Sequence, residues 1–327
     1  MATPADSKTQ QHWSTFREAG TLFGLRFLHM VYTYGGRGLL SIMLVPVALY
    51  FVLLRPPSRR ASLNFLRTHQ QFFPEQWDRK PGYIDVVRHF KQFAETVVEK
   101  LLAWHIELEA DEFDVQNPEV IEDLMNDSRG QLIIGTHMGN LEYCRGFMQR
   151  YRKKVINILI YDKHSVNFAQ MMQRLNPDSR LNVFQVDEFD VSTMLKLKTK
   201  IDQGEWVFIA GDRIPLTGLE RTVQVEFMGR PAPLPIGAYM LAKALACPVK
   251  LMFAYRYADA ANRDKVRFEV VPFTEKLTLD RRNRDADLQR YAQQFATEFE
   301  KQCAMVPYQW FNFYEFWSEP LDNEQEQ

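Results

Sequence analysis

The stretch Gln131-Leu132-Ile133-Ile134-Gly135-Thr136-His137-Met138-Gly139-Asn140-Leu141-Glu142 switches within a few residues from one secondary-structure pattern to another. Its first half is a short apolar run of strand type. Its second half carries two turn-favouring residues, Gly139 and Asn140, and then a run of helical character. The spacing predicts a strand over 131–136 and a helix over 140–151, with Asn140 as the helix cap.

Working outward, the same alternation recurs. Strands are expected at 155–160, 206–210, 248–255 and 266–271, and helices at 165–175, 191–203, 234–246 and about 285–305. An earlier helix is expected over 84–110, where Ile84, Val87, Phe90, Phe93, Ala94, Val97, Val98, Leu101 and Leu102 follow a 3.6-residue period. Alternating strands and helices predict an α/β fold with a mostly parallel central sheet flanked by helices. In such sheets chemistry gathers where strands end and helices begin. His137 is placed at one such junction and Asp212-Arg213 at another, so the two clusters are expected to share a cleft.

A histidine whose proton affinity is held near neutrality is suited to general-base work. Glu142, in the first turn of the expected helix, is the candidate carboxylate to hydrogen-bond His137 and fix its tautomer. Spacing alone does not establish this pair: seven histidines among 41 acidic residues in 327 positions yield roughly one such spacing by accident. The alternative is a capped helix with a packed imidazole. Gly139 is expected to leave room for a substrate carbonyl, and Asn140 and nearby amides to face the substrate. Arg145, three residues beyond Glu142, either holds that carboxylate ionised or contacts an anionic substrate. Asp212 and Arg213 either cap their strand or bind substrate, Arg213 as an anion ligand. A helical metal site formed by His137 and Glu142 is disfavoured, because residues five apart on a helix diverge by about 140°. Gly-x-Ser-x-Gly, P-loop, Gly-x-Gly-x-x-Gly and His-Glu-x-x-His motifs are all absent.

Formal charge is −1 overall, which argues against a nucleic-acid binder. Its distribution is uneven: residues 1–70 hold eight Lys/Arg against two acids, and the remainder holds 32 against 39. A basic head suggests an anionic surface as partner. Cys144, Cys247 and Cys303 are odd in number and widely spaced, so neither disulfides nor a zinc site is indicated and a reducing compartment fits. No signal peptide of the usual form opens the chain.

From Gly38 to Leu54 no charge interrupts the sequence, and Arg37 and Arg55 flank it. As a helix it covers roughly 25 Å, the lower limit for a membrane crossing. Pro46 is expected to kink it, and Pro56-Pro57 to end it. Either it crosses, with the Arg-rich side and the body of the protein in the cytoplasm, or it lies in the interface together with the aromatic and apolar residues of 13–37. The chain is thus divided into a basic membrane-anchoring region, 1–70, an α/β domain, 71–321, and a disordered tail, 322–327. Phe227–Gly237, rich in Pro and Gly, is expected as a loop, either walling an apolar groove or simply connecting. Pro307–Trp317 places seven aromatics in eleven residues, most expected in the core and some at a membrane interface.

His137-x4-Glu142 after an apolar strand, Gly211-Asp212-Arg213 after a later one, the Phe227-Met228-Gly229-Arg230-Pro231-Ala232 segment and the Pro307–Trp317 ending occur in the order seen in bacterial lipid A biosynthesis (late) acyltransferases. The chain resembles that family, part of the lysophospholipid acyltransferase superfamily, over roughly residues 13–317, including Arg59-Arg60-Ala61-Ser62. The resemblance implies acyl transfer from an acyl carrier protein thioester to a hydroxyl of a membrane lipid, at the cytoplasmic face of the inner membrane. It implies His137 as general base, Glu142 as its orienting partner, Arg145, Asp212 and Arg213 as substrate or oxyanion contacts, and no cofactor or metal. The short anchor, the Gly-Asp-Arg triplet and the Trp-Phe-Asn-Phe-Tyr ending are closer to a branch linked to aryl-polyene and glycolipid products. Two other readings are a membrane-bound thioester hydrolase and a non-catalytic membrane-anchored adaptor.

Overall fold

A computed structural model of the chain describes residues 22–102, 110–140, 142–144, 147, 154–160, 181–185, 191–214, 221–257 and 265–317. The expected helix 165–175, most of the expected helix 140–151, Arg145 and the tail 322–327 lie outside the described residues.

Three helices come first: α1 (Leu22–Leu54), α2 (Pro56–Phe72) and α3 (Tyr83–Leu102). The break in α1 is at Gly36, whose φ of 68° is left-handed and departs from helix, and not at Pro46, which the helix accommodates. Pro56-Pro57 ends α1 as expected but also starts α2, since proline is well suited to the first turn of a helix.

Among the described residues nine strands follow: β1 (Phe113–Gln116), β2 (Gln131–Gly135), β3 (Ile156–Ile160), β4 (Leu181–Gln185), β5 (Trp206–Ala210), β6 (Thr222–Phe227), β7 (Arg230–Pro235), β8 (Val249–Arg256) and β9 (Val266–Thr274). Seven form one sheet in the order β1-β9-β8-β2-β5-β3-β4. Every neighbouring pair is parallel except β8 with β9. The five strands expected from sequence are β2, β3, β5, β8 and β9. β1 and β4 are short and carry Asp114, Asn182 and Gln185, which weakens their apolar signal. β2 lies between β8 and β5 and is buried throughout. Leu132 and Ile134 enter the core on one face and Ile133 the core on the other, which is why the run is continuous and not alternating.

The segment Phe227–Gly237 is not a loop. Thr222–Phe227 and Arg230–Pro235 pair as an antiparallel hairpin around Met228-Gly229, both at positive φ (51° and 69°). That is the turn geometry whose twist suits a two-residue hairpin. Prolines 231, 233 and 235 are tolerated because this small sheet has only two strands, both edges.

Two buried histidines fasten α2 and α3 to the C-terminal part of the chain. His69 Nε2 is 3.1 Å from the Cys303 carbonyl, and Trp77 Nε1–H donates to His69 Nδ1 at 3.0 Å. His89 Nε2 is 2.9 Å from the Trp310 carbonyl, with Ser62 Oγ 2.8 Å from Nδ1. A carbonyl only accepts, so both rings carry their proton on Nε2 and are neutral. Burial pushes each down to about 4. Ala48, Val52, Phe65 and Leu66 belong to the same apolar cluster as the sheet, so α1 and α2 share its core.

Candidate active site

β2 and β5 are paired in parallel with Gly135 opposite Ala210. Two residues beyond that pair, on adjacent strands, stand His137 and Asp212. The Gly211 N–H donates to the Gly135 carbonyl at 2.9 Å, extending the ladder to the point where the side chains meet. His137 Nδ1 lies 2.8 Å from Asp212 Oδ1, and the His137 backbone N–H donates to Oδ2 at 3.0 Å. Trp310 Nε1–H donates to Oδ2 as well, at 3.1 Å, and the Tyr314 hydroxyl donates to the Asp212 carbonyl at 3.4 Å.

The carboxylate has no exposed surface, whereas the imidazole keeps about a third of its own, 33%. Burial works against the Asp212 charge, but the facing His137, its hydrogen bonds and Arg213 outweigh that and lower the carboxyl below its ordinary range. An ionised carboxylate accepts only, so Nδ1 carries the proton and the Nε2 lone pair is the basic one. Burial first, and Arg213 second, lower His137 from its ordinary value against the pull of Asp212. The imidazole is therefore neutral at pH 7, with one nitrogen anchored and the ring partly open to solvent.

This geometry reassigns several of the expected roles. The carboxylate on Nδ1 is that of Asp212, not Glu142, and Asp212 is too enclosed to touch a substrate. Glu142 is half-buried in the first helical turn, and its N–H donates to Asn140 Oδ1 at 3.0 Å. Asn140 is thus the cap that the sequence implied, buried rather than facing a substrate. Gly139 is needed for a different reason from the one expected. It has a φ of 61°, and a Cβ there would lie 2.2 Å from the Ala254 carbonyl oxygen and 2.6 Å from Tyr255 Cβ. Close packing on β8, not space for substrate, requires glycine. The amides of Gly139 and Asn140 donate to the carbonyls of Gln309 (2.8 Å) and Ala254 (3.0 Å), so neither serves an oxyanion.

Arg213 is close by: its guanidinium donates to the Phe311 carbonyl at 3.0 Å. The C-terminal aromatic segment closes the back of the site. Met138 and Trp310 form an isolated antiparallel bridge, and Trp310, Phe311, Phe316 and Trp317 are buried. Trp310 and Tyr314 were missed as site residues because an aromatic cluster reads as core. Their signal was chemical: a buried indole N–H or phenol needs an acceptor, and Asp212 supplies it. Lys100, near the end of α3, was also missed; its charge adds to the forces lowering His137.

All three cysteines are free and buried, and burial pushes their thiols up, Cys247 to about 11, which leaves them poor nucleophiles. Among the described residues no group of three His, Cys, Asp or Glu could hold a metal ion.

A buried carboxylate behind a partly exposed neutral imidazole, at the C-terminal ends of two interior strands, is equipped to take a proton from a hydroxyl. No curated protein matches the chain significantly. Residues 8–319 match the model of the family described as bacterial lipid A biosynthesis acyltransferase, so the chain belongs to that family of acyltransferases.

Proposed function

We propose that the chain moves a fatty acyl group from an acyl carrier protein thioester to a hydroxyl of a bacterial membrane lipid, with His137 as the general base. The observation that carries this reading is the imidazole held through Nδ1 by the buried Asp212 carboxylate and about a third exposed, in which Nε2 carries the basic lone pair. Nε2 takes the acceptor hydroxyl proton as the oxygen attacks the thioester carbonyl. The carbon–sulfur bond then breaks, and the proton held on Nε2 passes to the departing thiolate. Ester and free thiol result, with no redox change.

Asp212 stabilises the imidazolium formed midway. Glu142 is kept in the proposal as a second carboxylate one turn beyond the imidazole, adding negative potential as that cation forms. Arg213 is assigned to the developing oxyanion or to an anionic group of the substrate. Arg145 stays a candidate of the same kind. The acceptor is placed in the lipid A-like or other glycolipid class, including the aryl-polyene-linked branch. The proposed location is the inner membrane with the α/β domain at its cytoplasmic face, in keeping with the basic N-terminal region and one helix, Tyr34–Leu54, long and apolar enough to cross a membrane.

The test is turnover of acyl-loaded carrier protein by membranes containing wild type or His137→Ala, with and without extracted lipid. Transfer that needs added lipid and vanishes in the variant supports the proposal. Lipid-independent thioester hydrolysis, or full activity of His137→Ala, would overturn it.

A further inference from the structure

We propose that the part of α1 after its break at Gly36, despite its length and apolarity, does not cross the membrane but lies parallel to its plane, one face in a single anionic leaflet. The inference rests on the membrane location proposed above, though not on the reaction. It starts from the two faces of the helix. Leu40, Leu44, Ala48 and Val52 are buried, whereas Leu39, Ile42, Val47, Leu49, Tyr50, Leu53 and Leu54 are exposed. At about 100° per residue the exposed residues spread over an arc of roughly 160° facing away from the buried four, with Leu39, Ile42, Tyr50 and Leu53 in its middle.

The buried face is occupied by protein along the whole apolar span. α3 runs antiparallel to it: Arg37 pairs with Glu99, and Lys91 Nζ donates to Ser41 Oγ at 2.6 Å and to Glu95 at 2.7 Å. Val98 packs with Leu40 and Leu44, while Ala48 and Val52 join the core that includes Val86 and Phe90. α3 is in turn fixed to the α/β domain through His89 and the Trp310 carbonyl. Driving Tyr34–Leu54 across about 30 Å of hydrocarbon would therefore carry Arg88, Lys91 and Glu95 into it. An in-plane helix avoids this, because only its exposed arc enters the acyl region.

Charge indicates which surface covers that arc. Between Arg55 and Arg88 the chain carries seven Lys/Arg against three carboxylates. One of the three, Asp85, is buried against Arg79 (2.7 Å), the Gly82 N–H (2.8 Å) and the Tyr308 hydroxyl (3.0 Å). Arg60, Lys80 and Arg88 are exposed, and so are Leu53, Leu54, Phe72, Tyr83 and Ile84. Apolar side chains amid cations match an anionic headgroup layer over acyl chains. At the other end, Glu99 accepts from the Tyr143 hydroxyl and so ties Arg37 of α1 to the helical turn after His137.

The experiment places one fluorophore at a time on the full chain, at Leu39→Cys, Ile42→Cys, Tyr50→Cys or Leu53→Cys, in vesicles of phosphatidylcholine with or without phosphatidylglycerol. Depth-dependent quenching should place all four at the same shallow depth, about 5–10 Å below the headgroups. Binding should fall at least about tenfold without the anionic lipid, and in Arg60→Gln/Lys80→Gln/Arg88→Gln with it. Depths that pass through the bilayer centre would overturn the in-plane orientation and leave the proposed location standing. No binding to either vesicle would overturn both. Binding indifferent to lipid charge, with the triple variant raising the KM for the acidic carrier protein, would assign the cations to that protein and overturn the leaflet as their partner.

Discussion

His137 and Asp212 are 75 residues apart in the chain, yet their side chains meet at 2.8 Å because each follows, at the same offset, one of two paired residues on neighbouring parallel strands. The pair is a product of sheet register. A one-residue slip between β2 and β5 would turn one partner to the other face.

Asp212→Asn tests the tautomer. An amide that donates to Nδ1 would leave the proton on Nε2, the nitrogen that must accept one. Acyl transfer should fall by about 10² to 10⁴ in kcat with little change in KM. Steady-state kinetics on protein of unchanged circular dichroism checks it, and a loss below fivefold would remove Asp212 from the mechanism.

Arg213→Gln tests the electrostatics. Burial and then the Arg213 charge lower His137, so removing that charge should raise it. The base form is then lost at a higher pH as the medium is acidified. The acid limb of the kcat/KM profile should move upward in pH relative to wild type; an unmoved limb would show that Arg213 does not act on the imidazole.

Trp310→Phe keeps most of the aromatic packing and removes one donor to Asp212 Oδ2. Two N–H···O contacts from His137 remain. Activity should drop by no more than about tenfold, the equivalent of one hydrogen bond of roughly 1.5 kcal/mol. A drop as large as that of Asp212→Asn would mean that the indole does more than hold the carboxylate.

Gly139→Ala should unfold the junction. The methyl would overlap the Ala254 carbonyl and hold a side-chain-bearing residue at positive φ, for a combined cost of about 3 kcal/mol or more. Thermal unfolding in detergent measures it, and an unchanged midpoint would contradict the close approach of this turn to β8.

His69 and His89 should make stability depend on acidity. Both are neutral when folded and lowered to about 4, while an unfolded histidine titrates near 6.5. Between those values the unfolded chain binds the extra protons. Stability contributed above pH 6.5 is therefore lost as pH falls towards 4, by about 1.4 kcal/mol per unit for each ring. Urea titrations at pH 7.5, 6 and 5 should show the decline, and His89→Gln should reduce its slope by about one proton.

The apolar run 131–135, its glycine and its helix cap were legible because strand, turn and cap chemistry are local. So were five strands of the sheet, the helix Arg284–Met305 to within a residue, and the long apolar stretch Gly38–Leu54 within α1. The hairpin over 222–235 was not, because three prolines read as a loop until pairing is known. Nor was the partner of His137: Glu142 was the nearest carboxylate in sequence, while Asp212 became the nearest in space. By itself the sequence determined which segments bury apolar groups and which residues can exchange a proton. Only the tertiary structure decided which carboxylate faces the imidazole and what covers the buried side of α1, because strand order, register and helix packing join residues that no local pattern connects.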